Sequence, residues 1–388
     1  MGWSATSDLD RFAAAAGGYL RSRAAENILL LSAAQEAQRL QDAQRHQAQP
    51  QSTKMLFGWW TPPDGADGAD PRGAFVHDPA EPLLISGRVP EMAAALAATL
   101  AKLSRQVRGV DAPTEVADVF AAAWSQRAGT SVRAHRTCRV YRLAAAQSAL
   151  PGQSGQPGQP GLPDLPGPAC APGRLRIATT ADHATLADWL RVAAIEAAER
   201  LPSPSDLATD LLSYGGAFFW EVPHKSGRLR DVAHYLAIPH HRDMAQFGEP
   251  VPQPVALVTL TRPVAGIVRI SMIYTLPDRR RSGYAAAATQ AVSRALLQDS
   301  STGSSTGSDT DTGMLGHGCV REVVMITDKN RSDHWGGRVG YQQISERAVL
   351  RFGPATGAIP RMNSTSSMPR LPTGPLPRLP RIGRGTGR

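Results

Sequence analysis

Apolar residues recur at helical spacing at the start of the chain. Leu9, Phe12, Ala13, Ala16 and Leu20 mark one helix, and Ile28-Leu29-Leu30-Leu31 opens a second that runs towards Gln47. The glutamine-rich stretch 35–51 frays into a loop, after which the period shortens. Met55 to Trp60 and Gly73 to His77 read as strands around a Pro/Gly/Asp turn, and Leu83 to Ser86 as a further short strand. Pro90 then opens an alanine-rich helix to Leu103, and Pro113 another towards Trp124 and Arg127, proline being suited to the first turn of a helix. Arg136 to Leu143 alternates as a closing strand. The pattern over residues 1–150 is that of an α+β domain.

Residues 151–173 interrupt it with seven prolines and six glycines. Such a segment buries too little to fold and reads as a linker. Beyond it, Arg174 to Ala178 reads as a strand, Asp182 to Arg200 and Ser205 to Leu212 as helices, and Ala217 to Val222 as a second strand. The segment from Pro223 to Gln253 is polar, carries His234 and His240-His241, and suits a loop on the substrate side. Pro254 to Thr261 and Gly266 to Thr275 read as a hairpin, Tyr284 to Gln298 as a helix, and Arg321 to Asp328 and Gln342 to Phe352 as the last strands. The Ser/Thr/Gly repeat at about 299–314 reads as a disordered insertion. The organisation is thus a first domain over 1–150, a linker, a second domain over 174–353, and a Pro/Arg/Gly tail over 354–388.

The 388 residues suffice for two cores, and no apolar run is long enough to span a membrane. Cys138, Cys170 and Cys319 are odd in number and scattered, which fits neither a disulfide framework nor a zinc site and suits a cytoplasmic protein. The net charge of +9 changes meaning once located. Arg361, Arg370, Arg378, Arg381, Arg384 and Arg388 put six of the nine charges in the tail, leaving +3 on the rest. The folded part therefore does not read as a nucleic-acid binder. Binding through the tail stays open as a separate, salt-sensitive reading.

The chemistry concentrates between Ile273 and Ala285. An apolar strand ends at Thr275, Pro277 stops it, three arginines and a small-residue turn follow, and a helix begins at Tyr284. The first-turn N–H groups and the positive end of a helix attract an anion. Gly283 lets the backbone approach it, and arginines neutralise its charge. A pyrophosphate suits that cradle.

Arg280-Arg281-Ser282-Gly283-Tyr284-Ala285 resembles the R/Q-x-x-G-x-G/A motif of the GNAT superfamily of acyl-CoA-dependent N-acyltransferases. The strand before it, the helix after it and the ending Arg338-Val339-Gly340-Tyr341 repeat the family's order over about 174–353. The resemblance implies a mixed central sheet flanked by helices, preceded by an α+β domain that is itself similar to a degenerate copy of the fold. It also implies acetyl-CoA as co-substrate, no metal, and a primary amine on a small molecule or peptide as acceptor. Backbone groups of Ile273, Tyr274 and Thr275 would pair with the pantetheine arm. The N–H groups from Arg280, Arg281, Ser282, Gly283, Tyr284 and Ala285 would hold the pyrophosphate, and Asn330 would stand near the cofactor. A backbone N–H near Met272 or Ile273 would receive the oxyanion.

For the proton transfers the expectation is Glu221 as base, since the strand 266–275 carries no carboxylate, and Tyr341, Tyr274 or water as acid, unless the thiolate departs unaided. The family's usual tyrosine, four residues before the Gly of the final Gly-Tyr, is replaced here by Gly336. A module that binds acyl-CoA with weakened turnover is therefore the alternative function.

Overall fold

The computed structural model describes residues 2–45, 55–62, 70–144, 171–199, 201, 203–223, 252–299, 320–330 and 335–354. Most of the linker, the histidine-bearing loop, the Ser/Thr/Gly insertion and the tail lie outside the described residues. The first half runs β1 (Trp3–Thr6), α1 (Leu9–Ser22), α2 (Ile28–Arg45), β2 (Leu56–Trp60), β3 (Gly73–His77), β4 (Leu83–Gly87), α3 (Pro90–Lys102), β5 (Gly109–Pro113), α4 (Thr114–Ala128) and β6 (Thr130–Ala144). The second runs β7 (Arg174–Ile177), α5 (His183–Ala197), α6 (Pro204–Ser213), β8 (Ala217–Pro223), β9 (Pro252–Leu260), β10 (Ile267–Thr275), α7 (Tyr284–Asp299), β11 (Glu322–Asp328), α8 (Trp335–Arg338) and β12 (Gln342–Pro354).

The local signals account for the ends of several elements. Asp8 caps α1 by accepting from the N–H groups of Asp10 (2.9 Å) and Arg11 (3.1 Å). Ser203 does the same for α6 through Asp206, with Pro204 at its first position. Pro113 differs from expectation: it ends β5, and α4 starts one residue later. Val264 and Ile267 bond each other reciprocally at 2.9 Å across Ala265 (φ +53°) and Gly266 (φ +76°), which makes the tight hairpin joining β9 to β10.

Among the described residues twelve strands join one mixed sheet in the order β1-β2-β3-β4-β5-β12-β6-β11-β10-β9-β8-β7. Adding six to each strand of the first half, and subtracting six in the second, returns the same order reversed. The halves therefore repeat one plan. In each the fourth and fifth strands are parallel, β4 with β5 and β10 with β11, joined through a helix, α3 or α7. The repeat is not two closed units. β12 lies between β5 and β6, and β6 lies between β12 and β11, so each half lends its last strand to the other.

Alternation along the strands feeds both faces of the sheet. In the first half Leu56, Phe75 and Ile85 pack under α3 and α4, whereas Phe57, Ala74 and Val76 pack under α1 and α2. In the second, Ala288, Val292 and Leu296 of α7 pack on Val258, Val268 and Val323, with Tyr141 and Leu143 of the exchanged β6 in the same core. Leu186, Leu190 and Leu211 of α5 and α6 cover Phe219 and Leu257 on the other face.

Candidate active site

β10 and β11 pair in parallel from Ile267↔Glu322 to Ile270↔Met325, and no further. On its other edge β10 pairs Ile270 with Leu260 but Met272 with Thr259, so Ser271 is an extra residue, a bulge. Beyond it, Met272 to Thr275 follow β9, while Ile326 to Asp328 follow β6. The two strands part, and the cleft edge of Met272–Thr275 has no strand ladder. The resulting cleft of about 320 Å³ is lined by Ile270 to Ile273, Ala285, Met325 to Asp328 and Trp335. An extended chain bearing amides fits such an edge as an added strand would.

The turn at the end of the cleft is built from unusual backbone angles. Arg281 (φ +62°) and Gly283 (φ +83°) both take left-handed conformations before α7 begins, and the Ala287 N–H closes the first turn on the Gly283 carbonyl at 3.0 Å. Arg281 and Ser282 are exposed. Arg280 is engaged: its guanidinium donates to Glu196 Oε2 (2.6 Å) and to the Thr275 carbonyl (3.1 Å), 5.8 Å from the Tyr274 ring. Its side chain pins the turn to the strand end and to α5. Ile273 lines the cleft, whereas the Tyr274 ring is buried edge-on against Trp189 at 5.6 Å. Of residues 273–285, Ile273 and Ala285 line the cleft, and the Tyr274 ring does not.

The residues expected to move protons lie elsewhere. Glu221 is 5 % exposed on β8, two strands and so about 10 Å from β10. Arg176 Nε donates to its Oε1 at 2.6 Å and Arg174 to its Oε2 at 3.4 Å. Tyr341 is 4 % exposed, and its hydroxyl shares a 2.6 Å hydrogen bond with Ser293 of α7; burial pushes its pKa up. Neither side chain lines the cleft. Asn330 is exposed after β11, its backbone N–H donating to Asp328 Oδ1 at 2.8 Å. Cys138 is buried and its thiol is pushed up to about 11 by desolvation, which does not suit a nucleophile.

Three cleft residues escape sequence reasoning. Thr327 has a buried hydroxyl with no partner among the described residues, and Asp328 is the cleft's one carboxylate among them. Trp335 closes the cleft from α8. Their signal was available only as the end of a strand following the basic turn. Beside them, Gly336 is packed against Tyr141 of β6: a Cβ there would lie 2.5 Å from the ring's Cδ1. Among the described residues no group of three or more His, Cys, Asp or Glu is placed to hold a metal, and no helix is long and apolar enough to cross a membrane.

No protein-family model matches the chain, and no curated protein matches it. Solved structures do. A GCN5-related N-acetyltransferase from Sphaerobacter thermophilus is 13 % identical, with 90 % of this chain and 95 % of that one covered, at a TM-score of 0.45. A GNAT-family acetyltransferase from Colwellia psychrerythraea is 8 % identical over 77 % and 85 % of the two chains, at 0.40. A tandem GNAT protein from the clavulanic acid biosynthesis pathway is 12 % identical over 79 % and 85 %, at 0.36.

Proposed function

We propose that the protein is a GNAT-type N-acetyltransferase that moves the acetyl group of acetyl-CoA to a primary amine of a small molecule or peptide in the cytoplasm. The observation that carries this reading is the parting of β10 and β11 at the Ser271 bulge, with the Arg280–Gly283 turn and the start of α7 at the end of the cleft so formed. The cleft edge of Ile273–Thr275 binds the amides of the pantetheine arm. The N–H groups of Arg280 to Ala285 hold the pyrophosphate, and Arg281 adds its exposed cation.

In the transfer, the neutral amine adds to the thioester carbonyl carbon. The developing oxyanion is stabilised by a backbone N–H near Met272 or Ile273, a donor that needs no reorganisation during the reaction. Asp328 is placed to hold the incoming amine, and Thr327 offers a hydroxyl to the same cleft. Thiol release from acetyl-CoA across a panel of amines, with calorimetry of acetyl-CoA binding, tests the assignment. Turnover on at least one amine is expected, and absence of binding would overturn the reading.

One observation favours the second reading, an acyl-CoA-binding module with weakened turnover. Glu221 and Tyr341 are both committed to partners within the fold. Binding in calorimetry without thiol release on any amine would select it.

A further inference from the structure

Where the two halves meet on the sheet, three arginines stand near two acids. Arg347 Nε donates to Asp111 Oδ1 at 2.7 Å, and Arg136 Nη1 to Glu199 Oε1 at 2.7 Å. The third, Arg269 of β10, lies within electrostatic reach of Asp111, Glu199 and Tyr214 and pairs with none of them. Its Nε is buried with no hydrogen-bond partner among the described residues. Tyr214 does not compensate, because its ring is covered by Arg262 at 4.0 Å and its hydroxyl donates to the Leu260 carbonyl at 2.7 Å. An unpaired guanidinium in such a place is costly, and desolvation lowers its pKa. Methionine would fill the position without that cost.

The position of Arg269 relates it to the cleft. Its neighbours Val268 and Ile270 pack under α7, so alternation turns Arg269 to the opposite face. There its register partner Val324 packs with Ile28 of α2, while Glu199 and Tyr214 follow α5 and α6. Arg269 is half-buried, so part of it remains accessible on the face between the helices of the two halves. The next two residues, Ile270 and Ser271, line the cleft. Met272, near the oxyanion donor, is three residues further on, roughly 10 Å along the strand.

We propose that Arg269 binds a carboxylate on the acceptor, so that the substrates are amines carrying a carboxylate several bonds from the nitrogen. The inference rests on the acyl-transfer reading and adds the acceptor's charge and length to it. The Arg280–Gly283 turn leads into α7, so the cofactor arrives on the α7 face and the acceptor meets the thioester from the other. With the amine in the cleft beside Asp328, the carboxylate reaches back along β10 to the guanidinium. A planar fork of N–H donors matches the two oxygens of a carboxylate. Asp111 and Glu199 already neutralise Arg347 and Arg136, which leaves one cation to be matched by one negative charge. That balance favours a carboxylate over a dianionic phosphate.

The test compares the full-length parent and Arg269→Met on hexylamine, ε-aminocaproate and aminohexyl phosphate, which differ only at the end remote from the amine. Thiol release from acetyl-CoA, calorimetry with the cofactor present and thermal melting are measured. The parent is expected to use ε-aminocaproate with a kcat/KM about tenfold or more above that for hexylamine. Arg269→Met is expected to abolish the preference, mainly through a raised KM, with Tm equal or higher because an unpaired charge is removed. Arg269→Lys should recover part of the preference. Equal use of hexylamine and ε-aminocaproate by the parent would overturn the assignment while leaving acyl transfer standing. So would a preference retained in Arg269→Met, the result for a purely structural arginine. A preference confined to aminohexyl phosphate would overturn the carboxylate. Binding of ε-aminocaproate that depends on Arg269, without thiol release on any amine, would support the anion site and overturn acyl transfer. Absence of both binding and release would overturn both.

Discussion

Gly283 and Gly336 are required for opposite physical reasons. At Gly283 there is room, the nearest atom to an added Cβ being Ala171 Cβ at 3.6 Å, but the backbone stands at φ +83°. Gly283→Ala therefore strains the turn by about 1 kcal/mol and re-aims its N–H groups. Weaker acetyl-CoA binding with a small fall in Tm is the expected result, and unchanged affinity in calorimetry would remove the turn from the anion site. At Gly336 space is lacking. Gly336→Ala pushes a methyl into the Tyr141 ring at 2.5 Å, a cost of about 1–3 kcal/mol that thermal melting would register. The first glycine was legible in sequence, because its strand-turn-helix neighbours are local. The second was legible only as a missing tyrosine, since the residue that excludes a side chain there lies on a strand of the other half. The same limit explains Glu221. It is an acid at a strand end, and no local pattern reveals that on β7 Arg174 stands opposite it and Arg176 reaches it from two positions along.

Among elements, the long amphipathic helices and the strands rich in branched and aromatic residues were readable, while β1 and β5 were not. Four and five residues long, with Asp111 and Pro113 in the second, they carry too little pattern and are held by their neighbours on the sheet. The bulge in β10 was equally invisible, although it shapes the cleft. Deleting Ser271 would restore an unbroken register with β9, leaving Tyr274 opposite Leu257 but removing the bulge at which β10 parts from β11. Loss of acetyl-CoA binding together with a Tm lower by several degrees is expected, and a variant that binds normally would show that the bulge does not make the cleft. The start of α5 permits a pH prediction. Arg176 bonds Asp182 at 2.7 and 2.9 Å, which, with the Thr179 N–H, lowers its pKa from 3.8 to about 2. A carboxylate depressed in the folded state contributes stability that is fully present above about pH 4 and is lost as pH falls through about 2. Asp182→Asn should thus cost about 1–2 kcal/mol in urea unfolding at pH 7, with the difference from the parent shrinking below pH 4. A difference independent of pH would assign the effect to the cap geometry instead of the charge.

At the scale of the whole molecule, the repeat and the exchange of strands have to be considered together. A chain that merely carried two copies of one plan could fold them side by side, with the proline-rich linker as a tether, and the sequence suggested that division. The sheet contradicts independence. Both neighbours of β6 belong to the second half, and both neighbours of β12 belong to the first. Cut from its partner, residues 1–150 would present the 15-residue β6 with both edges unpaired, an open template for aggregation. Residues 151–388 would lack Tyr141 and Leu143 from the core under α7, besides leaving β12 without neighbours. The copies have also diverged. Arg88 and Val89 alone separate β4 from α3, whereas eight residues, including the arginine turn, separate β10 from α7. The first half thus has no counterpart of the arginine turn, although it keeps the strand it lends. Expressed separately, each half is expected to be insoluble or to lack a cooperative melt, and co-expression of the two as separate chains should restore a soluble complex that melts as one unit. A monomeric half with its own cooperative transition would contradict this, because it would show that β6 or β12 finds a stable place without the neighbours seen here.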